Sequence, residues 1–149
     1  MAPRSPRLAV RALVLHEGRL LIVNAWPGGR SDLWCAPGGG VEAGASLPAN
    51  LAREVREECG LAVTVGDPAL VNEFHDPATG FHQVEVFFRC TIPQGAAIPE
   101  GWVDPERVVD RRRFVTRGEL AGLRHKPGSL GAAAWGTGLL YDPLEVIAP

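Results

Sequence analysis

GGGVEAGASLPANLAREVREECGL, residues 38–61, decides how the rest of the chain is read. Three consecutive glycines, Gly38, Gly39 and Gly40, mark a loop whose backbone can approach a neighbour closely. The residues after them predict a helix. Ser46 is a suitable N-cap, Pro48 falls in the first turn where its missing N–H costs little, and Gly60 suits a left-handed stop. At about 100° per residue, Leu51, Ala52, Val55 and Cys59 share one sector and are predicted to face the core. Glu54, Glu57 and Glu58 fall in a different sector, brought together by spacings of three and four residues.

That grouping is locally unfavourable. Like charges four apart each destabilise a helix by about 0.2–0.5 kcal/mol. Carboxylates in the last turns also meet the negative end of the helix dipole, for roughly another 0.3–1 kcal/mol each. Arg53 and Arg56 relieve part of this without pointing into the acidic sector. A divalent cation would reverse the sign of the arrangement, and hard Mg²⁺, with Mn²⁺ as the alternative, suits a carboxylate-only cluster. A solvated acidic face with no ligand is the competing reading of the three glutamates taken alone.

The glycines favour the metal. Counted from Gly39, the stretch is Gly-x5-Ala-x7-Arg-Glu-Val-x-Glu-Glu-x-Gly-Leu. It resembles the box of the Nudix hydrolase family at Gly39, Arg53, Glu54, Val55, Glu57, Glu58, Gly60 and Leu61. Trp34, Pro37-Gly38 and Glu42-x-Gly44 resemble the family's usual flanks. The resemblance implies an α/β/α sandwich with a mixed central sheet, and hydrolysis of a diphosphate linked to a nucleoside or similar group. It further implies Glu54 and Glu58 as metal ligands, Glu57 as a ligand or a base, and the Gly38 carbonyl as a possible ligand. Arg53 would orient the acidic residues, and Gly39 and Gly40 would let backbone approach the metal or phosphates. The residue that deprotonates the attacking water differs among members and stays open.

One position departs, because the family's first Glu is Ala45 here. In the family that carboxylate braces the loop and the arginine, so its loss predicts a looser loop and a gain in turnover for Ala45→Glu. The alternative is that Glu42 or Asp104 already supplies the brace.

Outward from this stretch, residues 8–15 and 19–25 read as a hairpin of two strands about the turn at 16–18. After the helix, 61–65 predicts a strand ended by Gly66-Asp67-Pro68, and 69–75 and 81–92 form a second hairpin about 76–80. Val84, Val86 and Phe88 alternate with Gln83, Glu85 and Phe87, the pattern of a strand with one core face and one mixed face. Residues 93–104 are an irregular segment, a lid or a plain surface loop. A short strand at 111–115, a helix at 116–123 with a capping box of Thr116 and Glu119, and a helical piece at 132–135 complete the chain. Residues 113–120 resemble the family's late strand, turn and helix. The order fits one α/β layered domain over 1–149.

Past the box, His75, His82, Glu85, Trp102, Asp104, Glu106 and Asp110 are candidates to line a substrate pocket or add a ligand. Glu85 and Trp102 are the preferred pair for substrate. An indole can stack on a base, although with four tryptophans in the chain core packing is an equal use for it.

Composition sets the outer bounds. The chain has 149 residues, 46% hydrophobic and 21% charged, enough for one domain with a sizeable core. A net charge of −2 argues against general nucleic-acid or anionic-membrane binding, which needs a basic face. Cys35, Cys59 and Cys90 are an odd number without Cys-x-x-Cys spacing, so neither a disulfide framework nor a zinc site is suggested. Charged residues interrupt the N-terminal apolar run, which points away from a signal peptide or membrane span and toward the cytoplasm. The expected partner is a small nucleotide-type substrate, with monomer and homodimer both open. Two functions compete: a metal-dependent pyrophosphohydrolase, and a Nudix-fold nucleotide-binding or regulatory protein with little turnover.

Overall fold

The computed structural model describes residues 4–147. Helix α1 (Leu47–Cys59) begins where the Ser46 side chain accepts the N–H of Ala49 and stops where Gly60, at φ 67°, returns its N–H to the carbonyl of Arg56. Leu51, Val55 and Cys59 are buried as predicted, while Ala52 is only half-buried on the flank of that face.

Strand β1 (Arg7–His16) is the hub of the sheet. It lies parallel to β6 (Phe81–Thr91), and its last residues turn into β2 (Arg19–Asn24). On β2 rest the short β3 (Trp34–Cys35) and β7 (Arg112–Val115), while β4 (Gly38–Gly40) pairs antiparallel with β1. Beyond β6 come β5 (Thr64–Asp76), antiparallel, and β8 (Leu140–Val146), parallel to β5 at the edge.

Strand alternation distributes the core. Val10, Ala12 and Val14 of β1 point toward α1 and pack with Leu51, Val55 and Cys59. Leu13 belongs to a second core with Leu70, Phe87, Leu120 of α2 (Arg117–Ala121) and Leu130 of α3 (Leu130–Trp135). With helices packed on both faces of a mixed sheet, the molecule is the α/β/α sandwich that the sequence implied. The Thr116–Glu119 capping box forms at α2.

Three features differ from the sequence reading. The strands expected at 61–65 and 69–75 are one strand, β5, whose register slips on either side of Pro68. A proline cannot donate to the ladder, so the strand bulges there and continues. The glycines at 38–40 are not loop but an edge strand. Finally, β8 falls where no strand was predicted. Its Pro143 argues against a central strand, yet an edge position tolerates the missing N–H. Among the described residues no helix is long and apolar enough to cross a membrane.

The α2–α3 layer does not cover its whole face of the sheet. At the uncovered end, Arg7, Arg11, Gln83, Glu85, Asn72 and Phe74 line a cavity in place of core.

Gly38 has φ 152°, and a Cβ built on it would lie 1.9 Å from the carbonyl oxygen of Val10. Gly44, at φ 91°, has no heavy atom within 4 Å of the same construction. Gly44→Ala is therefore expected to cost only backbone strain, about 1–2 kcal/mol. Gly38→Ala adds the collision, for about 3 kcal/mol or more and a Tm lower by roughly 6 °C or more. Equal losses of Tm in the two variants would show that β4 yields freely and that its closeness to β1 is not a constraint.

Candidate functional site

Glu54 and Glu58 are one helical turn apart on α1 and only 8% exposed each. They face a cleft of about 480 Å³ that is also lined by Gly38, Gly39, Gly40, Arg11 and Asp104. The glycine strand forms its floor. The N–H of Gly38 donates to Glu58 Oε2 at 3.2 Å. Above Gly39 the Glu54 carboxylate occupies the space a side chain would take, its Cδ 2.8 Å from a built Cβ. Burial pushes the Glu58 carboxyl up to about 8, against the pull of nearby Arg11 and the Gly38 hydrogen bond. Burial also raises Glu54, opposed by Arg53 and reinforced by Glu57 and Glu106.

The third carboxylate of the predicted cluster stands beside the cleft, near enough to Glu54 to raise its proton affinity. Glu57 is half-buried and does not line this cleft. Its backbone carbonyl accepts the indole N–H of Trp102, which packs against Gly60. Trp102 is thus on the flank of α1, outside the cleft, where the fold uses it as packing. Asp104 does reach the cleft, but its carboxylate accepts the N–H groups of Glu106, Val108 and Val109 and so shapes its own loop. His82 pairs with Glu73 away from the carboxylates, and Asp110 lies outside this cleft as well. Among the described residues no three His, Cys, Asp or Glu side chains converge closely enough to hold a metal ion by themselves.

The loop before α1 is not loose. Asn50, 1% exposed, donates to the carbonyls of Glu42, Ala45 and Ser46. Its Oδ1 accepts the N–H of Glu42 and Arg53 Nη2, at 2.9 and 2.8 Å. Arg53 also meets Glu42 Oε1 at 3.1 Å and Glu54 Oε1 at 3.5 Å. Arg53 is therefore held to the loop by Glu42 and by Asn50, a residue that sequence reasoning passed over. A buried Asn in the first turn, after a loop rich in Gly and Ala, was the available signal.

Beside this cleft is the second cavity, about 270 Å³, lined by Trp26, Phe74, Phe81, Asn72 and Lys126 among others. Arg7, Arg11, Ala25 and Cys35 belong to both, so two guanidinium groups stand at the junction. A polar chain ties them down. Arg7 donates to Gln83 Oε1 at 2.7 Å, Gln83 donates to Glu85 at 3.1 Å, and Arg11 forms an ion pair with Glu85. Arg11 also reaches the carbonyls of Ala36 and Gly38, at 3.2 and 3.4 Å. Burial alone would disfavour its charge, but the Glu85 carboxylate beside it outweighs that and keeps it protonated. Glu85 lines the second cavity, yet at 5% exposure its carboxylate is spent on Arg11 and Gln83. The two arginines were missed, although two cations four apart in an apolar strand share a face and announce something to bind. Burial pushes the Cys35 thiol up to about 12, which keeps it protonated at neutral pH.

The family model described as NUDIX domain matches residues 5–135. A curated Bacillus subtilis protein, YjhB, named provisionally as an ADP-ribose pyrophosphatase, is 29% identical over 94 residues. That match takes in 61% of this chain and 44% of the relative, so the chain spans less than half the length of this relative. Among solved structures, a NUDIX hydrolase from Nitrosomonas europaea superposes with a TM-score of 0.72 at 19% identity, covering 87% of this chain and 86% of the other. An ADP-ribose pyrophosphatase from Streptococcus suis gives 0.62 at 21% identity, with 92% and 98% covered. A UDP-X diphosphatase gives 0.68 at 20% identity, with 97% and 70% covered.

Two predictions follow from this geometry. The folded Glu58 holds its proton up to about pH 8 against an ordinary value of 4.5, so the native state binds the extra proton between those limits. Its contribution to stability is full below the lower limit and is lost as pH rises through the upper one. Without divalent ions, Tm should fall by several degrees from pH 5 to pH 8, since each kcal/mol is worth about 2–4 °C in a domain of this size. Glu58→Gln should flatten that slope, and an unchanged slope in the variant would remove Glu58 as its source. Separately, Asn50→Leu strands Arg53 and three loop carbonyls and should cost about 2–4 kcal/mol. Ala45→Glu, at an exposed position with the brace already in place, should change stability by less than about 0.5 kcal/mol. Denaturant melts of both variants check this, and a large gain from Ala45→Glu would mean that the brace is incomplete.

Proposed function

This chain belongs to the Nudix family, and on that premise we propose that it is a divalent-metal-dependent pyrophosphohydrolase of nucleoside diphosphate derivatives. The observation that carries the reading is the pair of buried carboxylates over a glycine floor, with Arg7 and Arg11 between them and an aromatic-lined cavity. In this reading the box is a variant in which Ala45 replaces the first glutamate and Glu42 with Asn50 braces Arg53.

The donor set fits Mg²⁺ or Mn²⁺. Glu54 and Glu58 are acidic and nearly buried, and neither has a cation close enough to neutralise it fully; Arg53 stands 3.5 Å from Glu54. Mg²⁺ is commonly held by one or two carboxylates, with water and substrate phosphates completing its shell, so a third protein carboxylate is not required. Glu54, Glu58 and the Gly38 carbonyl would hold the ion, and Glu57, outside the cleft lining but near Glu54, is a candidate for a further ligand. When bound, the ion draws charge from the diphosphate and acidifies water beside it. The protein's own groups do the remainder. Arg53, fixed by Asn50 and Glu42, holds the Glu54 carboxylate in place. The Gly38 N–H orients Glu58 Oε2, and Arg11 and Arg7 present positive charge to the phosphates where the two cavities meet. A carboxylate of the Glu54–Glu58 pair takes the proton of the attacking water. Cleavage then breaks a phosphoanhydride bond and leaves two phosphomonoesters.

The second reading, a nucleotide-binding protein with little turnover, is favoured by one observation: no three metal-binding side chains converge among the described residues. Binding has broader support here than turnover, because the arginines and the aromatic cavity serve both readings. ADP-ribose is the first substrate to test, since two similar proteins carry it in their names. With Mg²⁺ the protein should release AMP and ribose 5-phosphate, chelation should stop the reaction, and Glu58→Gln should lower kcat by about 100-fold or more. A panel of other nucleoside diphosphate derivatives identifies the preferred substrate. Tight binding across the panel without metal-dependent turnover would establish the second reading, and dominant monoester cleavage would exclude both.

A further inference from the structure

Arg112 opens β7 on the face of the sheet that α1 covers, two residues before Phe114, which packs against the α1 core. It is half-buried, and among the described residues no ion pair includes it. Its guanidinium is spent on three carbonyl oxygens instead. Nε donates to Glu58, Nη1 to Trp102 at 3.3 Å and Nη2 to Val109 at 3.0 Å. The first acceptor belongs to the last turn of α1, where carbonyls lack intrahelical partners and the helix dipole is negative. A fixed cation there answers both needs with a charge-assisted hydrogen bond.

The other two acceptors bracket a segment. Between Trp102 and Val109 the chain folds round the Asp104 carboxylate, which takes the N–H groups of Glu106, Val108 and Val109. The same segment carries Asp104, Glu106, Val108 and Val109 into the lining of the cleft that holds Glu54 and Glu58. Two acidic residues are thus brought toward an acidic helix, an approach that like charges oppose. Asn24 anchors the segment on the sheet side, through the carbonyl of Val108 and the N–H groups of Asp110 and Arg111. Toward the helix the anchors are Arg112 and the Trp102 indole, which donates to the Glu57 carbonyl at 2.9 Å. Trp102 and Arg112 therefore close a ring with two consecutive carbonyls of α1, those of Glu57 and Glu58.

We propose that Arg112 is a positioning residue of this site, docking the 102–109 segment on the last turn of α1 so that Glu58 and the segment's carboxylates keep one spacing. Arg112 itself does not line the cleft and acts through what it holds. The proposal rests on the hydrolase reading for its effect on chemistry, whereas the docking is tested without metal or substrate. In hydrogen exchange of the metal-free protein, Arg112→Gln should speed the amides of Gly60, Glu106, Val108 and Val109 by about 10-fold or more. Core amides of β1 and β6 should keep their wild-type rates. Unchanged exchange at these four amides overturns the proposal, and so does a uniform increase through the sheet, the mark of a merely structural arginine.

Metal affinity separates position from charge by its sign. Removing a cation that acts only through its field should tighten Mn²⁺ binding. Removing one that holds the ligands in place should weaken it, and EPR titration of Mn²⁺ should find Arg112→Gln about 10-fold weaker than the wild type. Equal or tighter binding by the variant overturns the proposal. With ADP-ribose and Mg²⁺, kcat should fall by about 10-fold or more while KM changes by less than about 2-fold. A rise in KM at unchanged kcat would make Arg112 a substrate contact and overturn the positioning role. If Arg112→Gln does not fold, Arg112→Lys, which keeps the charge but cannot span three carbonyls, decides by the same measurements. A wild-type protein that binds no Mn²⁺ and turns nothing over removes the hydrolase reading, and the local change in exchange then decides the docking by itself.

Discussion

The site depends on backbone passing where no side chain fits. At Gly38 an added carbon would strike the main chain of β1, and at Gly39 it would meet the carboxylate of Glu54. This closeness allows one peptide N–H to reach Glu58 and lets two acidic side chains sit nearly out of water beside a strand. Like charges buried in this way raise each other's proton affinity and that of the whole cleft. The surroundings answer with positive charge at two places. Arg53 is pinned on the loop side, and Arg11 is pinned on the sheet side by Glu85. Both pull against the burial that raises the proton affinity of the pair.

Much of this was legible from residues 38–61. Caps, stop and core face of α1 follow from local chemistry, which acts over one turn and needs no tertiary knowledge. Of the three glutamates, Glu54 and Glu58 line the cleft, and Glu57 stands near enough to Glu54 to raise its proton affinity. Trp102, by contrast, was misplaced. An indole in an irregular segment offers no periodicity, and only the fold shows it bound to the Glu57 carbonyl.

What could not be read was set by pairing across long separations. Three glycines carry the signature of a turn, and they become a strand only because β1 lies beside them. The strand at 140–146 contains a proline and exposed Leu140, Tyr141, Leu144 and Val146, a poor pattern that becomes a strand only as the outer partner of β5. The polar row from Arg7 to Glu85 is joined by bonds between residues 74 and 76 positions apart, and each of them alone looks like an ordinary polar residue.

The second cavity has its walls on widely separated parts of the chain, with Trp26 near the start and Glu145 and Ile147 near the end, whereas both buried carboxylates come from one helix. A molecule built this way can diverge in steps. Replacing tail residues would reshape the cavity while leaving the acidic helix intact, and changing the helix carboxylates would leave the cavity as it is. Paralogues that share one reaction and differ in diet, or share a guest and differ in whether they consume it, are therefore within a few substitutions of one another on this scaffold.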